Sequence, residues 1–228
     1  MKPSFQGNCS PKSHITKVMF LVAVARPRNG WDGKIGCWEI TERVPAVRKS
    51  RNRPARSEVL RSVTVTKDVY RRNMVVPAIK SKWIWTAGVE NGRIILQHDN
   101  ARPHILSGDA EFVAAEQHGG WDIRIENQPA QSPDLNVLDL GFFNSIQALQ
   151  QTLECRTMEE LIAAVKCSFM LLSPVTLEKT FMTLRRVMNV IIEANGCNRY
   201  KIPRSKVNAE DELALSMMNL RLEEEDRL

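Results

Sequence analysis

Long apolar runs are missing from this chain of 228 residues. The longest candidate, "VMFLVAVA" at residues 18–25, is strand length. A membrane-crossing helix needs roughly 18 or more such residues, so no membrane span is predicted. The N-terminal stretch "MKPSFQGNCSPKSHITK" has no apolar core either, which excludes a cleavable secretory leader of the usual kind. Paired cysteines are missing as well. Cys9, Cys37, Cys155, Cys167 and Cys197 are odd in number, scattered, and never spaced as CxxC. That pattern argues against a disulfide frame or a zinc site and for reduced thiols inside a cell, in nucleus or cytoplasm. Acid is scarce at the start: residues 1–14 hold no Asp or Glu, and the first aspartate is Asp32. No internal repeat is present.

What the chain does have is a 43% hydrophobic share, enough for a folded core, and an uneven charge. The net charge is +6, yet the last 22 residues, from Val207, hold seven acids against two bases. That local −5 leaves +11 on everything before it. Much of it sits in "RKSRNRPAR" at residues 48–56, with Arg48, Lys49, Arg51, Arg53 and Arg56 and no acid. Three readings stay open for this run. It is a solvated loop, a contact for a polyphosphate backbone, or a nuclear-import address.

Periodicity predicts alternating strands and helices. The run at 18–25 reads as a strand buried on both faces. A turn at "NGWDG" (29–33) leads into the shorter strand "KIGCWEI", and the two are expected to form a hairpin. Residues 43–62 read as basic and irregular. Thr66 caps a helix expected to reach about Lys82, despite Pro77. "RIILQ" (93–97) and "WDIRIEN" (121–127) read as strands, with a helix over 109–118 stopping at Gly119 and Gly120. The remainder reads as helical. It comprises about four turns in "VLDLGFFNSIQALQQTL", a helix with a capping box from Thr157 and Glu160, and a helix opened by Pro174 and closed at Gly196. Past Arg204 the tail is polar and acidic.

The informative stretch is "IILQHDNARPHILSGDAEF", where a β-branched run ends in His98-Asp99-Asn100. In open α/β sheets functional groups collect just beyond the carboxyl ends of strands. Asp99 holds that place, although an Asp-Asn pair at a strand end also suits a plain turn. His98 and His104 lack a third ligand at zinc spacing. Downstream, "QPAQSPDLNVLDLGFF" sets Asp139 in the first turn of an amphipathic helix. A carboxylate closing a strand and another opening a helix on the same sheet can converge on a hard cation such as Mg²⁺, which takes carboxylate, water and phosphate oxygens.

"HDNARPH" followed by "QSPDLNVLDLGFF" resembles the second and third catalytic blocks of Tc/mariner-type DDE/DDD transposases, in particular the plant-like mariner branch. The flanks "ITKVMFLVAVARP", "WDGKIG" and "VTKDVYRRNMVVPAIKSKW" are similar to that family too. The resemblance implies an α/β, ribonuclease-H-like mixed sheet with flanking helices over 15–151. A disordered segment at 1–14 precedes it; a helical region at 152–204 and an acidic tail at 205–228 follow. It implies Asp99 and Asp139 as metal-binding catalytic acids, with Asn100, His104, Ser132, Pro133 and Asp134 supporting the motifs and Asp134 itself structural. It implies DNA as the partner, a nuclear site of action, and room for a homodimer.

The family's first acid lies on its first, central strand, upstream of the stretch matched by "HITKVMF". No counterpart is found before Ile15, and Asp32 matches a turn residue. The expectation is therefore a transposase remnant without cleavage activity, or, as the alternative, a non-catalytic module that binds nucleic acid or a protein partner. Without the central strand, the strands at 18–25 and 93–97 are expected to pair directly, to recruit another strand, or to leave the fragment poorly folded.

Overall fold

The computed structural model describes residues 17–28, 31–49, 54–71, 93–106, 108–117, 122–197 and 199–202. It is mixed α/β: a three-stranded antiparallel sheet, a two-stranded parallel sheet, and helices. The expected hairpin is present. β1 (Met19–Val24) runs antiparallel to β2 (Lys34–Pro45), with Met19 opposite Ile40 and Val22 opposite Cys37. Its turn is closed by Ala25 N donating to Gly33 O at 2.8 Å. Gly33 has φ +78°, and a Cβ there would meet the Ala25 carbonyl oxygen at 2.3 Å, so only glycine fits. Asp32 is a turn residue, its Oδ1 accepting from Lys34 N at 2.9 Å.

The irregular reading of residues 43–62 is corrected. β2 continues to Pro45 and pairs with β3 (Glu58–Ser62), with Glu42 opposite Arg61 and Val44 opposite Val59. The stretch is charged on both strands, so no apolar alternation marks it. Cross-strand pairs supply part of the cohesion instead: Arg61–Glu42 at 3.7 Å and Arg43–Glu58 at 3.9 Å.

Thr66 caps α1 (Lys67–Tyr70) as expected, its Oγ1 accepting from Val69 N at 3.3 Å. The predicted continuation to Lys82 lies outside the described residues. β4 (Arg93–His98) pairs in parallel with β5 (Asp122–Asn127), Ile94 opposite Ile123 and His98 opposite Asn127. The helix between them, α2 (Ala110–Gln117), starts from Asp109, whose Oδ1 accepts from Phe112 N at 3.2 Å. The same carboxylate takes two bonds from the Arg71 guanidinium, at 2.9 and 2.7 Å, which hold its pKa below the usual range.

Direct pairing of β1 with β4 is not among the ladders of the described residues; the two sheets remain separate. They share a core all the same. Leu21 of β1 and Leu96 of β4 pack on a cluster of Ile40, Tyr70, Ile94, Ile105, Phe112 and Ile125. Successive strand residues point to opposite faces, so Val22 and Val24 look the other way. They pack with Cys37 on a second cluster, Phe142, Ile146, Phe169, Leu172 and Leu177, built by the helices. The continuous apolar run of β1 thus serves two cores, as its composition implied.

The stretch read as one four-turn helix is instead broken. A wide turn over Leu138–Phe142 ends in a kink at Gly141, and α3 (Phe143–Gln150) follows. α4 (Met158–Leu171) carries the expected capping box: Glu160 N donates to Thr157 Oγ1, and Thr157 N to Glu160 Oε2, both at 3.1 Å. α5 (Pro174–Glu193) is capped by Ser173 and ends at Gly196, φ +79°, whose N–H reaches the Ile191 carbonyl at 2.9 Å. Arg26, just past β1, grips the buried carboxylate of Glu178 on α5 with Nε and Nη2, tying sheet to helix. No single described helix is long and apolar enough to cross a membrane.

Candidate metal and nucleic-acid site

Asp99 follows the last residue of β4, where the parallel ladder stops and side chains reach solvent. Its conformation is fixed locally. Oδ1 accepts from Ala101 N at 3.0 Å and from His104 Nδ1 at 2.8 Å. The same Nδ1 lies 3.0 Å from the Asp99 main-chain oxygen. Both neighbours only accept, so Nδ1 carries the proton. The side chain stays 45% exposed. Asn100 does not merely make a turn: its Nδ2 donates to the Gln128 carbonyl at 2.9 Å, bracing the end of β4 against the residue after β5.

Asp139 sits in the wide turn over Leu138–Phe142. Two amide side chains bring that region to the end of β4. Gln97 Nε2 donates to the Leu135 carbonyl at 2.8 Å, and Gln128 Nε2 to the Ser132 carbonyl at 3.3 Å. Ser132 and Pro133 open the short 3₁₀ turn Pro133–Leu135, closed by Leu135 N on the Ser132 carbonyl at 3.0 Å. Asn136 then caps the next turn, its Oδ1 accepting from Leu138 N at 3.0 Å. The consequence is electrostatic. The Asp139 carboxyl is raised above its ordinary pKa by partial burial and by the negative charge of Asp99, opposed by the Asn136 side chain. The two acids, forty positions apart in sequence, therefore lie within reach of each other's field.

Asp134 points elsewhere. Tyr200 donates its hydroxyl to Asp134 Oδ2, and this bond pushes the phenol up to about 12. Asp134 thereby fastens the segment after α5 to the 3₁₀ turn, a structural part. Beneath Asp99 lies a group that sequence reasoning passed over. Tyr70, His98 and His104 form a ring cluster with centroids 4.7–5.5 Å apart. Burial, helped by the His104 ring, pushes His98 down to about 4, so it is neutral. Burial and the Asp99 charge push the Tyr70 phenol up, so its O–H donates to His98 Nε2 at 3.0 Å. The remaining proton is then on His98 Nδ1, which is buried without a partner among the described residues. No local pattern announces Tyr70 as part of this group; in sequence it reads only as an apolar helix position.

Carboxylates are the donor type that a hard divalent cation takes. Mg²⁺ is commonly bound through one or two carboxylates, with water and phosphate oxygens completing its shell. Asp99 and Asp139 supply two carboxylates whose mutual repulsion such a cation would relieve. Among the described residues no group of three His, Cys, Asp or Glu side chains forms a fuller ligand set.

Of the basic residues singled out, Arg48, Lys49 and Arg56 are exposed at the end of the β2–β3 ribbon; Arg51 and Arg53 lie outside the described residues. No family model, curated protein or solved structure matches this chain.

Proposed function

We propose that the chain is a nucleic-acid-processing module related to the mariner-type DDE/DDD transposases, with a ribonuclease-H-like arrangement in which Asp99 and Asp139 are two acids of a Mg²⁺ or Mn²⁺ site. The observation that carries this reading is the Gln97–Leu135 hydrogen bond, which ties the turns leading to Asp139 to the end of the parallel strand after which Asp99 stands. Bound divalent metal would supply Lewis acidity for phosphoryl displacement on a DNA backbone. The chain's own part is to hold the pair: Ala101 and His104 orient Asp99, while Gln97, Gln128 and Asn136 hold the turn that bears Asp139. A family site also uses a third acid, and two carboxylates alone make a weak metal site, so cleavage by this chain on its own is not expected. The second reading is a binding module without catalysis, favoured by the basic ribbon end.

Mn²⁺ titration followed by water-proton relaxation tests the site. The expected outcome is weak binding that Asp99→Asn and Asp139→Asn each reduce at least tenfold, about 1.4 kcal/mol or more. Equal binding by all three proteins would remove the metal reading and leave the binding module.

A further inference from the structure

The turns that lead to Asp139 are held from more than one side. The ends of β4 and β5 hold them through Gln97 Nε2 on the Leu135 carbonyl at 2.8 Å and Gln128 Nε2 on the Ser132 carbonyl at 3.3 Å. Asp134, between those carbonyls, gives its carboxylate to another part of the chain and accepts from the Tyr200 hydroxyl. Residues 199–202 have neither helix nor strand. Arg199, Lys201 and Ile202 are exposed, and Tyr200 alone among them is half-buried, so the phenol is the group that seats this segment. α5, which precedes it, packs on both turns, with Thr180 beside Gly141. Glu178 ties the same helix to the sheet through Arg26. Asn136 passes the hold on to the acid. Its carbonyl accepts from Asp139 N at 3.1 Å, and its side chain bonds the Asp139 carboxyl.

We infer that Tyr200 is a positioning residue for the candidate site: through Asp134 it clamps the 3₁₀ turn, and through that turn it fixes Asn136 and the main chain of Asp139. A 3₁₀ turn has poorer hydrogen-bond geometry than an α-helix, so Pro133–Leu135 depends on its side-chain fasteners. A phenol on a carboxylate makes a charge-assisted bond, roughly twice as strong as a neutral one. The segment after α5 thereby belongs to the scaffold of the site, not to a separate helical region. The inference rests on the proposed function only in taking Asp139 as a metal ligand.

Amide hydrogen exchange, followed by NMR on the full chain without metal, tests it. The reporters are Leu135 N and Asn136 N, which close the 3₁₀ turn on the Ser132 and Pro133 carbonyls, and Asp139 N on the Asn136 carbonyl. Tyr200→Phe removes only the hydroxyl and should speed exchange at these amides about tenfold. Leu161 N, bonded to the Thr157 carbonyl at the start of α4, is the control and should change less than about twofold. Asp134→Ala should give the same acceleration, and adding Tyr200→Phe to it should give no further one. Asp134→Asn keeps an oxygen to accept from the phenol and should stay near wild type. Unchanged exchange at the reporters in Tyr200→Phe, additive effects in the double variant, or failure of Asp134→Asn to rescue would each overturn the inference. Acceleration at Leu161 as large as at the reporters would do so too, because the hydroxyl would then act on the whole fold. None of these readings involves metal, so they are decided separately from the Mn²⁺ titration.

Discussion

Replacing Phe142 with alanine is expected to destabilise the protein by about 3–5 kcal/mol, the range for emptying a buried aromatic site. Phe142 is 1% exposed and stands at the centre of the second core. Its ring meets Phe169 edge-on at 6.2 Å, and the same cluster takes Val22 and Val24 from β1. Losing it separates the sheet from the helices as well as leaving a void. Phe142 also closes the turn that bears Asp139, so the same change should loosen the carboxylate pair. At about 2–4 °C per kcal/mol for a chain of this size, the melting temperature falls by roughly 10 °C. The neighbouring Phe143, 44% exposed, gives the control: its replacement by alanine should cost about 1 kcal/mol or less. Similar losses for the two variants would show that the second core is not organised around Phe142.

The second large effect is on pH. His98 titrates near 4 when folded and near the ordinary value of about 6.5 when unfolded. Between those limits the unfolded chain takes up a proton that the folded chain refuses, so the unfolded state binds more protons and stability rises with pH. The full contribution is present above about pH 6.5 and is lost as pH falls toward 4, for a total of about 3 kcal/mol. Burial of the ring sets this sign; the neighbouring His104 adds to it, Asp99 opposes it in part, and Tyr70 donates to Nε2. Chemical denaturation at pH 7 and pH 4.5 should show the loss in wild type. His98→Gln, which keeps an acceptor for Tyr70, should flatten it. Parallel losses in the two proteins would mean that other groups govern the acid limb.

Features written in short-range chemistry were legible in the sequence. Thr66, the Thr157–Glu160 box, the Pro174 start and the Gly196 stop each act within five residues, and each is found where its pattern lies. The alternation of β5 and the apolar run of β1 were equally plain. β3 was not, because charged residues on both strands of the ribbon interrupt the apolar alternation that marks a strand. The break at Gly141 was hidden inside an amphipathic pattern that continues across it. At the candidate site, Asp99 and Asp139 are singled out by the resemblance of their two sequence blocks; the strand end was legible for Asp99, whereas Asp139 lies in a wide turn and not in the first turn of a helix. The groups that join them were not legible. Gln97 reaches Leu135 across 38 residues, Asn100 reaches Gln128 across 28, and Tyr70 reaches His98 across 28. Contacts at that separation leave no local periodicity.

The central claim is that the Asp99 and Asp139 carboxylates share one site, and it can be measured without metal or DNA. Carboxyl-detected NMR titration of Asp139 in wild type and in Asp99→Asn reads their interaction directly. Removing the Asp99 charge should move the Asp139 pKa downward toward the ordinary aspartate value, with little change in the position of its backbone resonances. An Asp139 titration that is identical in the two proteins would place the acids beyond each other's field and contradict the account.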